Sequence, residues 1–134
     1  MKRTMRVLAL IATATSFVSM AGAAPNGFRA EAINSTDFEV IPRSRNDISG
    51  YWCAAADFAR RKLGAGWTQP IYVLRGFGPS VTTGRKTAVQ FTLDPGAAGL
   101  VPSDQGWIRS GLKPGDSMSV QRAQGFCEPV PVRP

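Results

Sequence analysis

Residues 47–64 have the sequence DISGYWCAAADFARRKLG, and this segment carries the clearest helical pattern in the chain. Asp47 or Ser49 can cap the start of a helix, and Gly64 is placed to end it in a left-handed conformation. At about 100° per residue, one broad face of that helix is apolar. The residues on this face are Tyr51, Trp52, Ala55, Ala56, Phe58, Ala59 and Leu63. The many alanines predict that the helix, over about residues 47–63, lies close against a sheet.

Short strand patterns lie on both sides of the predicted helix. Residues 37–41 alternate large apolar with acidic side chains, which is typical of a strand with one buried face. Beyond the helix, residues 71–74, 87–93 and 117–122 are predicted as strands, and the first two of these are expected to pair. This order of elements predicts an α+β fold: a small, mainly antiparallel sheet of four or five strands with one principal helix packed on one face.

The first 23 residues have the pattern of a secretory signal peptide. A basic start is followed by a mainly apolar stretch, and residues 21–23 (Ala-Gly-Ala) are the small side chains that signal peptidase recognises. We therefore expect cleavage after Ala23, export to the periplasm or out of the cell, and no membrane span in the product. The short, alanine-rich signal is typical of a bacterial protein. Removing it leaves 13 basic and 9 acidic residues, so part of the formal charge of +7 belongs to the signal.

The remainder of the chain is predicted to hold a single domain. Residues 24–36 show no periodicity and are expected to form a loose leader, and residues 37–128 form the α+β domain. Residues 129–134 are rich in proline and are expected to be an extended tail. The aromatic side chains are expected to fill the small core; they include Tyr51, Trp52, Phe58, Trp67 and Trp107.

Cys53 and Cys127 are the only cysteines. Because export leads to an oxidising compartment, we expect one structural disulfide between them. Such a bond would close a long loop and stabilise the fold by roughly 4 kcal/mol. The alternative is a reactive thiol at Cys53, whose pKa a helix N-terminus would lower.

Composition excludes several classes of chemistry. The chain has no histidine, which rules out Ser-His-Asp and Cys-His nucleophiles, HExxH zinc sites and haem ligation by imidazole. Two cysteines alone cannot hold a structural zinc ion or an iron–sulfur cluster. We therefore expect no catalytic residue, metal or cofactor. A histidine-independent hydrolase that uses carboxylates remains as an alternative.

Residues 75–87, RGFGPSVTTGRKT, combine glycines, hydroxyls and three cations, which suits an anion-binding loop. The segment partly matches a P-loop, but five residues instead of four separate Gly78 from Gly84, and a strand follows where a helix is needed. Nucleotide hydrolysis is therefore rejected. The candidate anion-binding residues are Arg75, Ser80, Thr82, Thr83, Arg85 and Lys86. The simpler interpretation is a hairpin loop with ordinary solvated charges.

These observations lead to one functional expectation and one sharper alternative. The protein is expected to be a small basic exported protein that acts by binding, without catalysis, on a partner that the sequence does not identify. In the alternative, the 75–87 segment, helped by the basic triplet 60–62, binds an anionic envelope polymer or an acidic protein. Nucleic acid is disfavoured as a partner, because export separates the protein from it.

Overall fold

The structure is a computed structural model that describes residues 22–44, 46–103 and 111–128. In chain order its elements are β1 (Gly22–Ala23), β2 (Arg29–Ala32), β3 (Asp37–Ile41), α1 (Ile48–Arg61), β4 (Pro70–Gly78), β5 (Ala88–Thr92), β6 (Ser117–Ser119), α2 (Val120–Gln124) and a final 3₁₀ turn (Gly125–Cys127). The strands form one sheet in the order β1-β2-β3-β5-β4-β6, and all neighbouring strands are antiparallel. The predicted α+β class is confirmed, and so is the pairing of β4 with β5.

The ends of α1 follow the signals in its sequence. Of the two candidate caps the structure uses Asp47, whose side chain accepts a hydrogen bond from the Gly50 amide at 3.1 Å. Gly64 has a φ of 69°, the left-handed conformation expected after a helix. On the solvent side Arg61 pairs with Asp57, one turn earlier, at 3.5 Å.

The core lies between one face of the sheet and α1. The Phe38 ring of β3 packs at 4.9 Å against the Phe58 ring of the helix, tilted by 33°, and stacks at 5.7 Å on Phe91 of β5. Trp52 meets Phe91 edge-on at 5.3 Å. The intervening helical alanines are fully buried, so α1 approaches the sheet closely.

The carboxyl-terminal elements cover a second side of α1. Helix α2 packs against α1, and the disulfide joins Cys53, within α1, to Cys127 in the final 3₁₀ turn, with a Cα–Cα distance of 4.8 Å. Cys53 is fully buried. The described cysteines therefore include no free thiol, and the reactive-thiol alternative has no support.

Two predicted segment assignments need correction. Residues 24–36 were expected to lack regular structure, but Arg29–Ala32 forms β2 and pairs with β3 over its whole length. The signal was missed because alanine, the inward-facing residue here, is a poor strand former. The strand predicted over 117–122 ends at Ser119, whose hydroxyl accepts from the Arg122 amide and so starts α2.

Strand β4 is also longer than predicted. It continues past its predicted end at residue 74 through the glycines at positions 76 and 78, with two irregularities in its pairing with β5. Trp67 was expected in the core but is 45% exposed, with the Arg60 guanidinium 3.7 Å from its ring centre. The predictions for Trp107, for most of the signal peptide and for the 129–134 tail lie outside the described residues.

Candidate functional site

A row of polar side chains crosses the face of the sheet that α1 does not cover. Glu31 of β2 lies directly opposite Glu39 of β3, Glu39 lies opposite Gln90 of β5, and Gln90 lies opposite Arg75 of β4. Because strand side chains alternate between faces, this row is the reverse of the one that carries Phe38 and the core. The acidic residues of 37–41 were expected on a solvent face, but Glu39 is fully buried.

The cover over Glu39 is the loop of residues 79–87, which joins β4 to β5 and folds back over the sheet. The hydroxyls of Ser80 and Thr82 both donate hydrogen bonds to the Glu39 carboxylate. The backbone amides of Val81 and Thr82 also donate to it, each at 3.0 Å. The loop therefore does bind an anion, and that anion is a carboxylate of the protein itself.

These hydrogen bonds decide the charge of Glu39. Burial is the largest single influence and raises the pKa of the carboxyl, since it disfavours the charged form. The hydroxyls of Ser80 and Thr82 and the amides of Val81 and Thr82 act in the opposite direction and together outweigh it. The pKa of Glu39 is therefore lower than its usual value, and the side chain is ionised at neutral pH.

The loop is also closed on itself. The Ser80 hydroxyl accepts from the amide and the hydroxyl of Thr83, at 2.9 and 2.7 Å, and the Ser80 amide donates to the Arg85 carbonyl at 3.0 Å. At its base, the Arg75 guanidinium donates to the carbonyls of Pro79 at 2.7 Å and Ala88 at 3.4 Å. Arg75 thus fastens the two ends of the loop together.

Beside this loop a basic groove runs past the ends of β2 and β3. Its first depression, about 420 Å³, lies between Arg43, Arg85 and Lys86. The second, about 370 Å³, is bordered by Arg29, Arg43 and Arg85. The third, about 300 Å³, is bordered by Arg29, Arg43 and Gly22. None of the described residues that border the groove is acidic.

The cations of this groove differ in what already engages them. Arg29 donates to Glu31 at 2.7 Å, and Arg85 makes one long contact, 3.5 Å, to the Pro42 carbonyl. Among the described residues, neither Arg43 nor Lys86 forms an ion pair with a carboxylate. The groove therefore offers at least two guanidinium or ammonium groups to an incoming anion.

The structure divides the predicted anion-binding residues into three groups. Arg85, Lys86 and Thr83 border the groove. The hydroxyls of Ser80 and Thr82 serve Glu39.

The third group is Arg75, which holds the base of the loop. The basic triplet 60–62 is not joined to the loop by any contact among the described residues; Arg60 stacks on Trp67 and Arg61 pairs with Asp57.

Sequence reasoning missed Arg29, Arg43 and Glu39. Arg29 falls in the segment expected to be loose, and Arg43 follows the proline that ends β3. Arg43 lies beside the basic 79–87 loop, and this proximity can be recognised only when the strand register is known. The sequence did contain one signal for this groove: basic residues stand on both sides of β3, with Arg29 before it and Arg43 after it.

Comparison of the chain with protein families, with curated proteins and with solved structures finds no match. The function must therefore be inferred from the site. The part of the chain that the structure describes contains no cluster of three or more acidic, cysteine or histidine side chains suited to a metal ion. In that same part, no helix combines the length and apolar character needed to cross a membrane.

Glu31 and Glu39 lie opposite each other, and a pair of neighbouring carboxylates is what a histidine-independent hydrolase would need. Glu31 is occupied by Arg29, and Glu39 is enclosed by four donors from the 79–87 loop. Neither borders the groove. An ionised, enclosed carboxylate is poorly suited to general acid catalysis.

Proposed function

We propose that the protein is a non-enzymatic binding protein, exported under the direction of residues 1–23, that recognises an anionic partner through its basic groove. The partner is an anionic envelope polymer or an acidic protein. The observation that supports this is the convergence of Arg29, Arg43, Arg85 and Lys86 on one groove without a bordering carboxylate among the described residues. The disulfide is compatible with the oxidising compartment that export implies.

The groove is suited to binding because its shape is set before the partner arrives. Glu39 and Arg75 fix the 79–87 loop from below and at its base. The cations of the loop therefore lose little backbone freedom on binding, which favours affinity. Loop and groove act as one unit: the buried anion holds the backbone, and the exposed cations face outward.

The test is salt-dependent binding of immobilised polyanions and acidic proteins, compared with the Arg85→Ala/Lys86→Ala double variant. We expect binding at low salt that weakens steeply as salt is added, since exposed charges are screened within about 10 Å at 0.1 M. The double variant should bind about ten- to a hundredfold more weakly, because two charge-assisted contacts are lost.

The matched control is Lys113→Ala/Arg122→Ala, which removes the same charge from exposed positions that do not border the groove. It should retain most of the affinity. Equal loss in both double variants would mean that only net charge matters and would contradict the proposed site.

A further inference from the structure

Neighbouring depressions of the groove share lining residues. The third is bordered in part by Gly22 and Ala23, which the expected cleavage after Ala23 removes, so the mature protein keeps the first and second. The first and second share Pro42, Arg43, Gly84 and Arg85. The second and third share Gly27, Arg29 and Arg43. A ligand in the first depression can therefore contact residues that also line the second.

The cations are spread along this line. Arg43 borders all three depressions, Lys86 borders only the first, and Arg29 borders only the second and third. The glycine at position 27 has a φ of 83°, and a Cβ there would lie 3.3 Å from the Arg43 side chain. Gly27 thus leaves room for Arg43 to lie at the centre of the groove.

The length of the groove exceeds one anionic group. In the mature protein, residues of β2, of β3 and of the 79–87 loop border the first and second depressions, so the groove extends from β2 past the end of β3 to the loop. The first depression adds to this span on the side of Lys86. One or two arginines supply enough donors for the acceptor sites of a single carboxylate, so one such group would leave cations at one end unused.

The lining also differs from that of a protein-binding surface. Protein interfaces centre on aromatic or other large apolar anchors in pockets. The described residues that border the groove include no aromatic side chain, and Ile41 is 3% exposed. The exposed aromatic residues Trp67, Phe77 and Phe126 do not border the groove.

From these observations we infer that the groove binds a linear polyanion, with acidic groups on successive units, lying along the first and second depressions with Arg43, which borders both, at its centre. This inference rests on the proposed function and chooses the polymer over the folded acidic protein. Recognition depends on chain length, because each added unit brings another anionic group to another cation. Carboxylate, phosphate and sulfate chains share this chemistry.

The experiment measures the affinity of the purified protein for two length series at low salt: oligogalacturonates of one to eight units and linear phosphates of one to eight units. We expect at least one series to bind at least tenfold more tightly at six units than at two, and then to level off. Lys86→Ala and Arg29→Gln should weaken the longest chains more than the shortest. Arg43→Ala should weaken all lengths.

Three other results would contradict the linear-chain inference, and one of them would also contradict the proposed function. Affinity that does not increase with length beyond the statistical gain from more sites per chain would overturn the linear-chain inference and leave the anion site standing. Tighter binding of a folded acidic protein than of the longest chain would do the same. No binding of either series, or of an acidic protein, would overturn the proposed function as well.

Loss of Arg29 leaves Glu31 without its ion-pair partner. The thermal unfolding of the Arg29→Gln variant is therefore measured alongside its affinity, to show that the variant still folds. Lys86→Glu changes an exposed residue at the other end of the groove and serves as a second variant of the groove's ends. It should lower the affinity for long chains further than Lys86→Ala does.

Discussion

Glu39 is fully buried and charged, a combination that costs several kcal/mol unless hydrogen bonds compensate for lost water. All four of its donors come from one three-residue segment, 80–82. The carboxylate and the loop therefore stabilise each other: the loop shields the charge, and the charge accepts hydrogen bonds from the amides and hydroxyls of 80–82.

Glu39→Gln tests this relation. The amide oxygen of glutamine can replace Oε1, which accepts three of the four hydrogen bonds, but the NH2 group replaces Oε2 and faces the Val81 amide, which loses its acceptor. The charge that strengthens the other three bonds is also lost, so the free energy of unfolding should fall by about 1 to 3 kcal/mol at pH 7. Urea denaturation measures the change. The exposed carboxylate variant Glu128→Gln is the control and should change stability little. A Glu39→Gln variant as stable as the parent would contradict the stabilising role of these hydrogen bonds.

The pH dependence follows from the lowered pKa of Glu39. In the unfolded chain the pKa is near the ordinary value of 4.5, and in the folded protein it is lower. The stabilisation is therefore fully present above about pH 4.5 and is lost as pH falls through the folded-state pKa. The stability difference between parent and Glu39→Gln should shrink in that acid range; a difference that grows instead would reverse the assigned charge state.

At the candidate site, the sequence predicted the exposure of some residues but not the contacts of others. Arg85 and Lys86 are exposed, as expected of charged residues in a glycine-rich loop. The role of Ser80 and Thr82 could not be predicted, because their acceptor lies more than 40 residues earlier in the chain. Only the strand order β3-β5-β4 brings the loop over Glu39.

At the scale of elements, α1 was predictable and β2 was not. Helix α1 has a cap, a periodic apolar face and a glycine stop, so three independent signals agree. In β2 the inward residues Ala30 and Ala32 alternate with charged residues, but the strand is only four residues long and alanine has a low strand propensity. That strand exists because β3 offers it an edge, which is a tertiary effect.

Gly50, in the first turn of α1, gives an element-scale prediction. Helix propensity alone would make Gly50→Ala stabilising by up to about 1 kcal/mol. However, a Cβ at this position would lie 2.6 Å from the Phe28 ring, which itself meets Tyr51 edge-on at 5.4 Å. We expect Gly50→Ala to lower the free energy of unfolding by about 1 to 3 kcal/mol, as overpacking does.

Thermal unfolding shows whether Gly50→Ala stabilises or destabilises the protein. Gly66→Ala is the matched control, since a Cβ added at Gly66 would meet nothing within 4 Å, and it should change the melting temperature little. If Gly50→Ala raised the melting temperature, the contact between α1 and the start of β2 would be looser than the structure shows.

At the scale of the whole molecule, the disulfide fastens the last described segment to the middle of α1. The bond joins positions 74 residues apart, so it strongly restricts the unfolded chain. Reduction should lower the free energy of unfolding by about 4 kcal/mol in the loop-entropy account. Urea denaturation with and without reductant measures this, and the Cys53→Ser/Cys127→Ser variant should match the reduced protein. Equal stability of oxidised and reduced forms would contradict it.

The same bond also gives the molecule a covalent topology. Residues 53–127 form a closed ring, and the chain before Cys53 is an open arm. One wall of the groove, with Arg29 and Arg43, belongs to the arm, and the other wall, the 79–87 loop, belongs to the ring. A peptide bond cut within the loop leaves both fragments tethered through sulfur. A cut between β3 and α1 leaves only strand pairing and packing to hold the two walls together.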